Sequence, residues 1–312
     1  MNSKMEIKKS LYEYEIMTTQ QLAILHGWKQ KTVYSYLQKM SKDKQIRKVD
    51  VPEIKRGAKA YSLMPNQAKY VAEFRNELAM FQPKEWETVP GSMLSILLAN
   101  QIFCEMIRST REMPDAGIVE WTGRRTLMQR YQEDEKKPLL KMNSYGVFYY
   151  ENQKRNIYLD ILNGTESLAV LETMLLQHSQ LITIDRPKSV GKTLLLFVYL
   201  GKSAGRTILQ LWRKFSAGSV DIPFVAVAHF EELAEQGIFS SVWQSLDKEG
   251  ISLMDMPFQV SEKELQESDF LGKTKSIRFQ FKSINGFFDE KEATNVKKDE
   301  ESNKEEDAIE WE

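Results

Sequence analysis

A winged helix-turn-helix followed by an α/β domain and an acidic tail is the architecture this sequence predicts, a mixed α+β / α/β chain, on three observations. Residues 1–80 run from two short helical patterns into a basic, glycine-containing ribbon; residues 93–288 alternate long apolar helices with β-rich runs; residues 289–312 are dominated by Glu, Asp and Lys. A segment with two prolines and a glycine, 81–92, separates the first two parts as a linker.

Thr18 and Thr19 are good N-caps for a helix carrying Leu22, Ala23 and Leu25, and Gly27 stands where a helix end wants a left-handed residue. The next helix repeats apolar residues at Val33, Leu37 and Met40. That spacing leaves Lys29, Gln30, Lys31, Thr32, Ser35 and Tyr36 on or near its exposed N-terminal side, the residue types of a recognition helix. Two strands follow, 45–51 and 58–63, joined by a loop with Lys55, Arg56, Gly57 and Lys59 that reads as a basic wing; Arg47 precedes it. An amphipathic helix is expected from Asn66 to Met80.

Between Gln21 and Tyr70 there are eleven basic residues against three acidic ones, a local net charge of +8, whereas the whole chain stands at −1. A positive field confined to one module suits a polyanion, and double-stranded DNA is the expected partner. Gln30 or Lys31 would then read base edges and the wing residues would hold phosphates. The competing reading of the same elements is a protein-interaction module.

In the second part, the helix 92–110 is followed by β-rich runs at 117–123, 144–151 and 156–162, the last two joined by a polar turn at 151–156. A helix near 166–181 leads to TLLLFVYL, a helix at 204–216 and IPFVAVAHF. An antiparallel meander followed by strand–helix–strand is an α/β sheet with helices on its faces, and the two wholly apolar runs are its central strands.

Few chemistries fit this composition. The chain has 312 residues, one cysteine and three histidines, at 26, 178 and 229, with no ligand spacing. Neither a disulfide nor a thiolate metal cluster is expected, and Cys104 in IFCEMI reads as a buried small hydrophobe. With no apolar run of membrane-spanning length, a cytoplasmic protein is expected. SVGKT at 189–193 shares GKT with a phosphate-binding loop, but Arg186 stands where the first glycine is required, and GKT enters a strand instead of opening a helix. Tyr149 and Tyr150 read as strand residues pointing to opposite faces, and no histidine cluster accompanies them as a tyrosine relaxase requires. The tail, with eleven acids against four lysines, is expected to be disordered; it either solubilises, competes with DNA for the basic module, or recruits a partner through Ile309 and Trp311.

The stretch KMNSYGVFYYENQKRNIYLDILNGTESLAVLETMLL resembles the central block of the replication-relaxation family of plasmids and integrative elements in Gram-positive bacteria. The likeness lies in Tyr145-Gly146-Val147, Tyr158-Leu159-Asp160 and NGTES at 163–167, and KAYSLMPNQAKYV is similar to that family's wing-to-helix segment. The resemblance implies a winged helix before a restriction-endonuclease-like α/β domain. It also implies an acidic, Mg²⁺-dependent nuclease site, from which this chain departs. Asn143 stands at the hairpin Asp, Leu162 at the second strand acid and Met174 at the helix Lys, leaving Asp160 with Glu120 as the best remaining partner.

The combined expectation is a sequence-specific DNA-binding protein of a plasmid or mobile element, acting in replication, copy control or transfer. It would have no catalysis of its own, no metal and no other cofactor, with Mg²⁺ required only under a nuclease reading through Asp160 and Glu120. A homodimer is expected on paired half-sites, with a protein partner possible through the α/β domain or the tail. A transcriptional regulator using the same helix and a metal-dependent nickase are the alternatives.

Overall fold

The computed structural model describes residues 3–51, 59–130, 142–185, 190–201, 204–217, 222–260 and 270–271. The expected acidic tail, Lys55, Arg56, Gly57 and Arg186 lie outside them.

Helix α1, Ser3–Glu13, buries Ile7 and Leu11 one turn apart and turns at Glu15 into the short strand β1, Ile16–Thr18. Helix α2, Thr19–His26, starts from a capping box in which the Thr18 side chain accepts from the Gln21 N–H and the Gln21 side chain accepts from the Thr18 N–H. It ends at Gly27, whose φ of 64° lets the Trp28 N–H turn back to the Ala23 carbonyl. Helix α3, Gln30–Lys42, buries Val33, Leu37 and Met40. Strands β2, Ile46–Asp50, and β3, Lys59–Leu63, pair antiparallel, and β1 adds to the other edge of β3, giving the order β1-β3-β2.

Helix α4, Pro65–Phe74, is shorter than the pattern from Asn66 to Met80 predicts. Asn76 takes a left-handed φ of 58°, and a separate 3-10 turn follows at Leu78–Met80. The segment expected as a linker carries another, Pro83–Trp86, whose buried Trp86 ring stacks on Tyr12 at 5.4 Å.

Helix α5, Met93–Thr110, leads into β4, Ala116–Gly123, helix α6, Arg124–Arg130, and β5, Ser144–Tyr150. β6, Gln153–Leu162, begins three residues before the expected run, because the turn is confined to Glu151 and Asn152, with Glu151 at φ 52°. Then come α7, Leu168–Asp185, a 3-10 turn at Val190–Lys192, β7, Thr193–Tyr199, α8, Ala204–Ser216, β8, Phe224–His229, and α9, Phe230–Gln236. A last 3-10 turn at Leu253–Asp255 precedes the short β9, Gln259–Val260.

These strands form one mixed sheet in the order β4-β5-β6-β7-β8, with β9 on the first residues of β6. β4, β5 and β6 are antiparallel; β6, β7 and β8 are parallel, as strand–helix–strand connections require. Alternation along the strands sends Phe148, Ile157, Leu159 and Leu196 to the α5 side and Tyr145, Val147, Tyr158 and Phe197 to the α7–α8 side. The α5-side cluster is continuous with the core of α1–α4.

Polar groups also cross between these parts. Asn100 donates to the carbonyls of Tyr14 and Ile16, at 3.1 and 2.8 Å, and Gln21 donates to the Leu97 carbonyl at 2.8 Å. Glu13, buried, receives Arg75 at 2.8 Å, the Gly123 N–H at 3.0 Å and the Thr126 hydroxyl at 3.0 Å. Burial alone would raise this carboxyl, but the Arg75 and Arg125 guanidiniums hold it below the usual carboxylate range.

Candidate nucleic-acid interface

With Val33, Leu37 and Met40 facing the core, helical geometry turns the rest of the first two turns of α3 outward. Lys29, Gln30, Lys31, Thr32 and Ser35 are all exposed, as the sequence predicts. Tyr36 differs: it is half-buried, its ring 6.2 Å from Trp28, which itself stacks on His26 at 4.4 Å. Three residues past Val33, it lies on the edge of the buried stripe, so it props the turn between α2 and α3.

The hairpin residues divide as well. Lys59 points out beside Asp50, with which it forms an ion pair, and Lys48 is exposed. Arg47 alternates to the other side of β2 and donates to the carbonyls of Glu87 and Trp86, at 2.8 and 3.2 Å. It therefore ties the 81–92 segment to the hairpin.

One flank of α3 and the hairpin face a cleft of about 1140 Å³. Gln30, Lys31, Tyr34, Lys48 and Lys59 line one wall; Leu94 and Gln101 of α5, with His229 at the end of β8 and Phe230 and Glu231 at the start of α9, line the other. Sequence reasoning missed Tyr34 and Lys48. The helical period could have found Tyr34, which lies one turn after Gln30 on the exposed side.

The candidate carboxylates are elsewhere. Asp160 on β6 points to the α7 side, where its Oδ2 stands 3.1 Å from Nε2 of the buried His178 and its Oδ1 accepts from the Ile161 N–H at 3.0 Å. Asn143 also accepts from the Ile161 N–H, at 2.8 Å. Glu120 on β4 is level with Val147 of β5 and, through it, with Asn156 of β6, four residues short of Asp160. At about 3.4 Å per residue and about 4.8 Å per strand, the two acids' backbones are on the order of 15 Å apart, too far to share one cation. Among the described residues, no group of three or more His, Cys, Asp or Glu side chains is placed to hold a metal ion.

The remaining motifs take structural positions. Gly191-Lys192-Thr193 passes from a 3-10 turn into β7 and opens no helix. Tyr149 packs toward the α7–α8 side and Tyr150 toward the α5 side. Cys104 is fully buried, its thiol donates to the Gln21 carbonyl, and burial pushes its pKa far up. No helix among the described residues is long and apolar enough to cross a membrane.

The chain is thus a mixed α+β protein with an exposed cationic helix beside a cationic hairpin, and without an assembled carboxylate cluster among its described residues. Residues 9–192, more than half of its length, match the replication-relaxation family, and the chain belongs to that family. Membership ties it to the replication or transfer of plasmids and mobile elements. Comparison with curated proteins and with solved structures gives no match.

Proposed function

We propose that the chain is a sequence-specific double-stranded DNA-binding protein, in which α1 to β3 act as a winged helix, α3 enters the major groove and the β2–β3 hairpin is the wing. The observation that carries this reading is the face of α3. Lys29, Gln30, Lys31, Thr32 and Ser35 are exposed together over a helix whose opposite side is wholly committed to the core. Gln30 and Lys31 carry the amide and ammonium groups that pair with purine edges, and the lysines of the hairpin supply phosphate contacts. The protein acts in the cytoplasm, as a homodimer on paired half-sites, at an origin or transfer site of its element.

The reading assigns no phosphodiester chemistry to the chain. Asp160 is engaged by His178, and Glu120 is separated from it by the sheet register. A transcriptional regulator would use the same α3 surface, and mapping the bound site to an origin or to a promoter separates the two.

The test is binding of the purified protein to fragments of its own replicon. Gln30→Ala and Lys31→Ala should relax the choice of sequence by roughly 1–3 kcal/mol at the base pair contacted. Unchanged selectivity in both variants removes α3 as the reading element.

A further inference from the structure

The residues assigned to the duplex also border a cleft. Gln30 and Lys31, with Tyr34 one turn on, stand opposite a second surface, that of Gln101, His229 and Phe230. The space between, about 1140 Å³, exceeds the roughly 300–1,000 Å³ of pockets that enclose small molecules.

Its chemistry is that of a strand-binding groove. The Tyr34 ring is 50% exposed inside it. Lys31, Lys48 and Lys59 bring three ammonium groups to the same wall, against Asp50 beside Lys59 and Glu231 on the opposite wall. An aromatic face set among cations stacks a base while the cations follow its phosphates, and it does so with little regard to sequence. A phosphate near Glu231 would be repelled toward Lys31, Lys48 and Lys59.

We propose that this cleft holds an unpaired DNA strand, with a base stacked on Tyr34 and the backbone running past Lys31, Lys48 and Lys59. The proposal rests on the reading of α3 and the hairpin as a DNA-binding surface and adds a second, single-stranded substrate to it. Because Lys31 and the hairpin lysines serve both substrates, duplex and strand compete for this surface.

The experiment is fluorescence anisotropy of the full chain with labelled oligo-dT and, separately, with a replicon duplex. Wild type, Tyr34→Ala, Tyr34→Phe and Phe230→Ala are compared, with circular dichroism confirming that each folds. Tyr34→Ala should weaken oligo-dT binding roughly 5- to 150-fold, the loss of one stacked base, while Tyr34→Phe, which keeps the ring, stays within about twofold. Duplex affinity should stay near wild type in both, because the duplex contacts are assigned to Gln30, Lys31 and the hairpin lysines and none to the Tyr34 ring. Wild type that binds duplex but not oligo-dT overturns the cleft and leaves the duplex reading standing; so does an unchanged oligo-dT affinity in Tyr34→Ala. Ring-dependent oligo-dT binding without duplex binding supports the cleft and overturns the duplex reading. Binding of neither overturns both.

Discussion

Asp160 Oδ2 meets His178 Nε2 at 3.1 Å across the interface between β6 and α7, with both side chains buried. The family resemblance places an acidic nuclease site at this strand, and the geometry puts a histidine there as the carboxylate's partner. Asp160 therefore fastens α7 to the sheet. Asp160→Ala should leave the buried His178 without this bond and cost about 1–3 kcal/mol in urea unfolding. DNA affinity of the folded variant should stay near wild type. A variant of wild-type stability that had lost a DNA-nicking activity would make Asp160 catalytic instead.

The Glu13–Arg75 pair behaves differently, because it also bonds Gly123 and Thr126 at the start of α6. Arg75 also pairs with the buried Glu77 at 2.8 Å, so removing the guanidinium strips two buried carboxylates of their ion-pair partner, at a cost of about 3–5 kcal/mol. Arg75→Gln should accordingly lower the thermal midpoint more than Asp160→Ala does, and a smaller shift would mean that the charges are solvated.

His26 gives the fold a pH dependence. Its ring is buried between Ser10, 3.0 Å away, and Trp28, and burial depresses its pKa from 6.5 to about 4. The unfolded chain binds a proton between these values that the folded chain refuses. Its share of the stability is therefore full above pH 6.5 and falls by up to about 3 kcal/mol as the pH drops to about 4. Urea midpoints measured across this range should fall more steeply for wild type than for His26→Gln, and parallel curves would contradict the assignment.

Gly27 is held at φ 64° between α2 and α3. Gly27→Ala should destabilise by about 1 kcal/mol, since a side chain rarely adopts that conformation. Because this turn sets the angle of α3, DNA affinity should fall with stability. A neutral Gly27→Ala would show that the turn relaxes freely.

The parts of this fold that were legible in the sequence are those specified locally. Thr18 with Gln21, Gly27, and the spacing of Val33, Leu37 and Met40 define α2 and α3 before any tertiary contact forms. Buried on both faces, β7 and β8 announce themselves as unbroken apolar runs. β1 escaped notice because three residues are too few for alternation to register, and its strand character comes from pairing with β3. The end of α4 was masked by apolar residues that continue the helical period through Asn76, where the backbone leaves the helix.

Side-chain partnerships were less legible. Nothing local joins Asp160 to His178 eighteen residues on, or Arg47 to the carbonyl of Glu87; both depend on where the folded elements pass. The composition of the exposed face of α3 was readable, whereas the second wall of its cleft, from α5, the end of β8 and the start of α9, was not.

The measurement that tests the central proposal most directly is the salt dependence of binding to replicon duplex for wild type, for Lys29→Ala/Lys31→Ala, and for Arg56→Ala/Lys59→Ala. The account predicts site-selective wild-type binding that weakens steeply with salt. The wing variant should flatten the slope of log affinity against log salt by about two, one for each phosphate contact removed, and Lys29→Ala/Lys31→Ala by about one, for Lys29, while also relaxing the choice of sequence through Lys31. The wing variant should weaken all sequences equally. Wild-type slopes in both variants, or no binding to any fragment, would contradict it and leave the cationic helix as a protein-interaction surface.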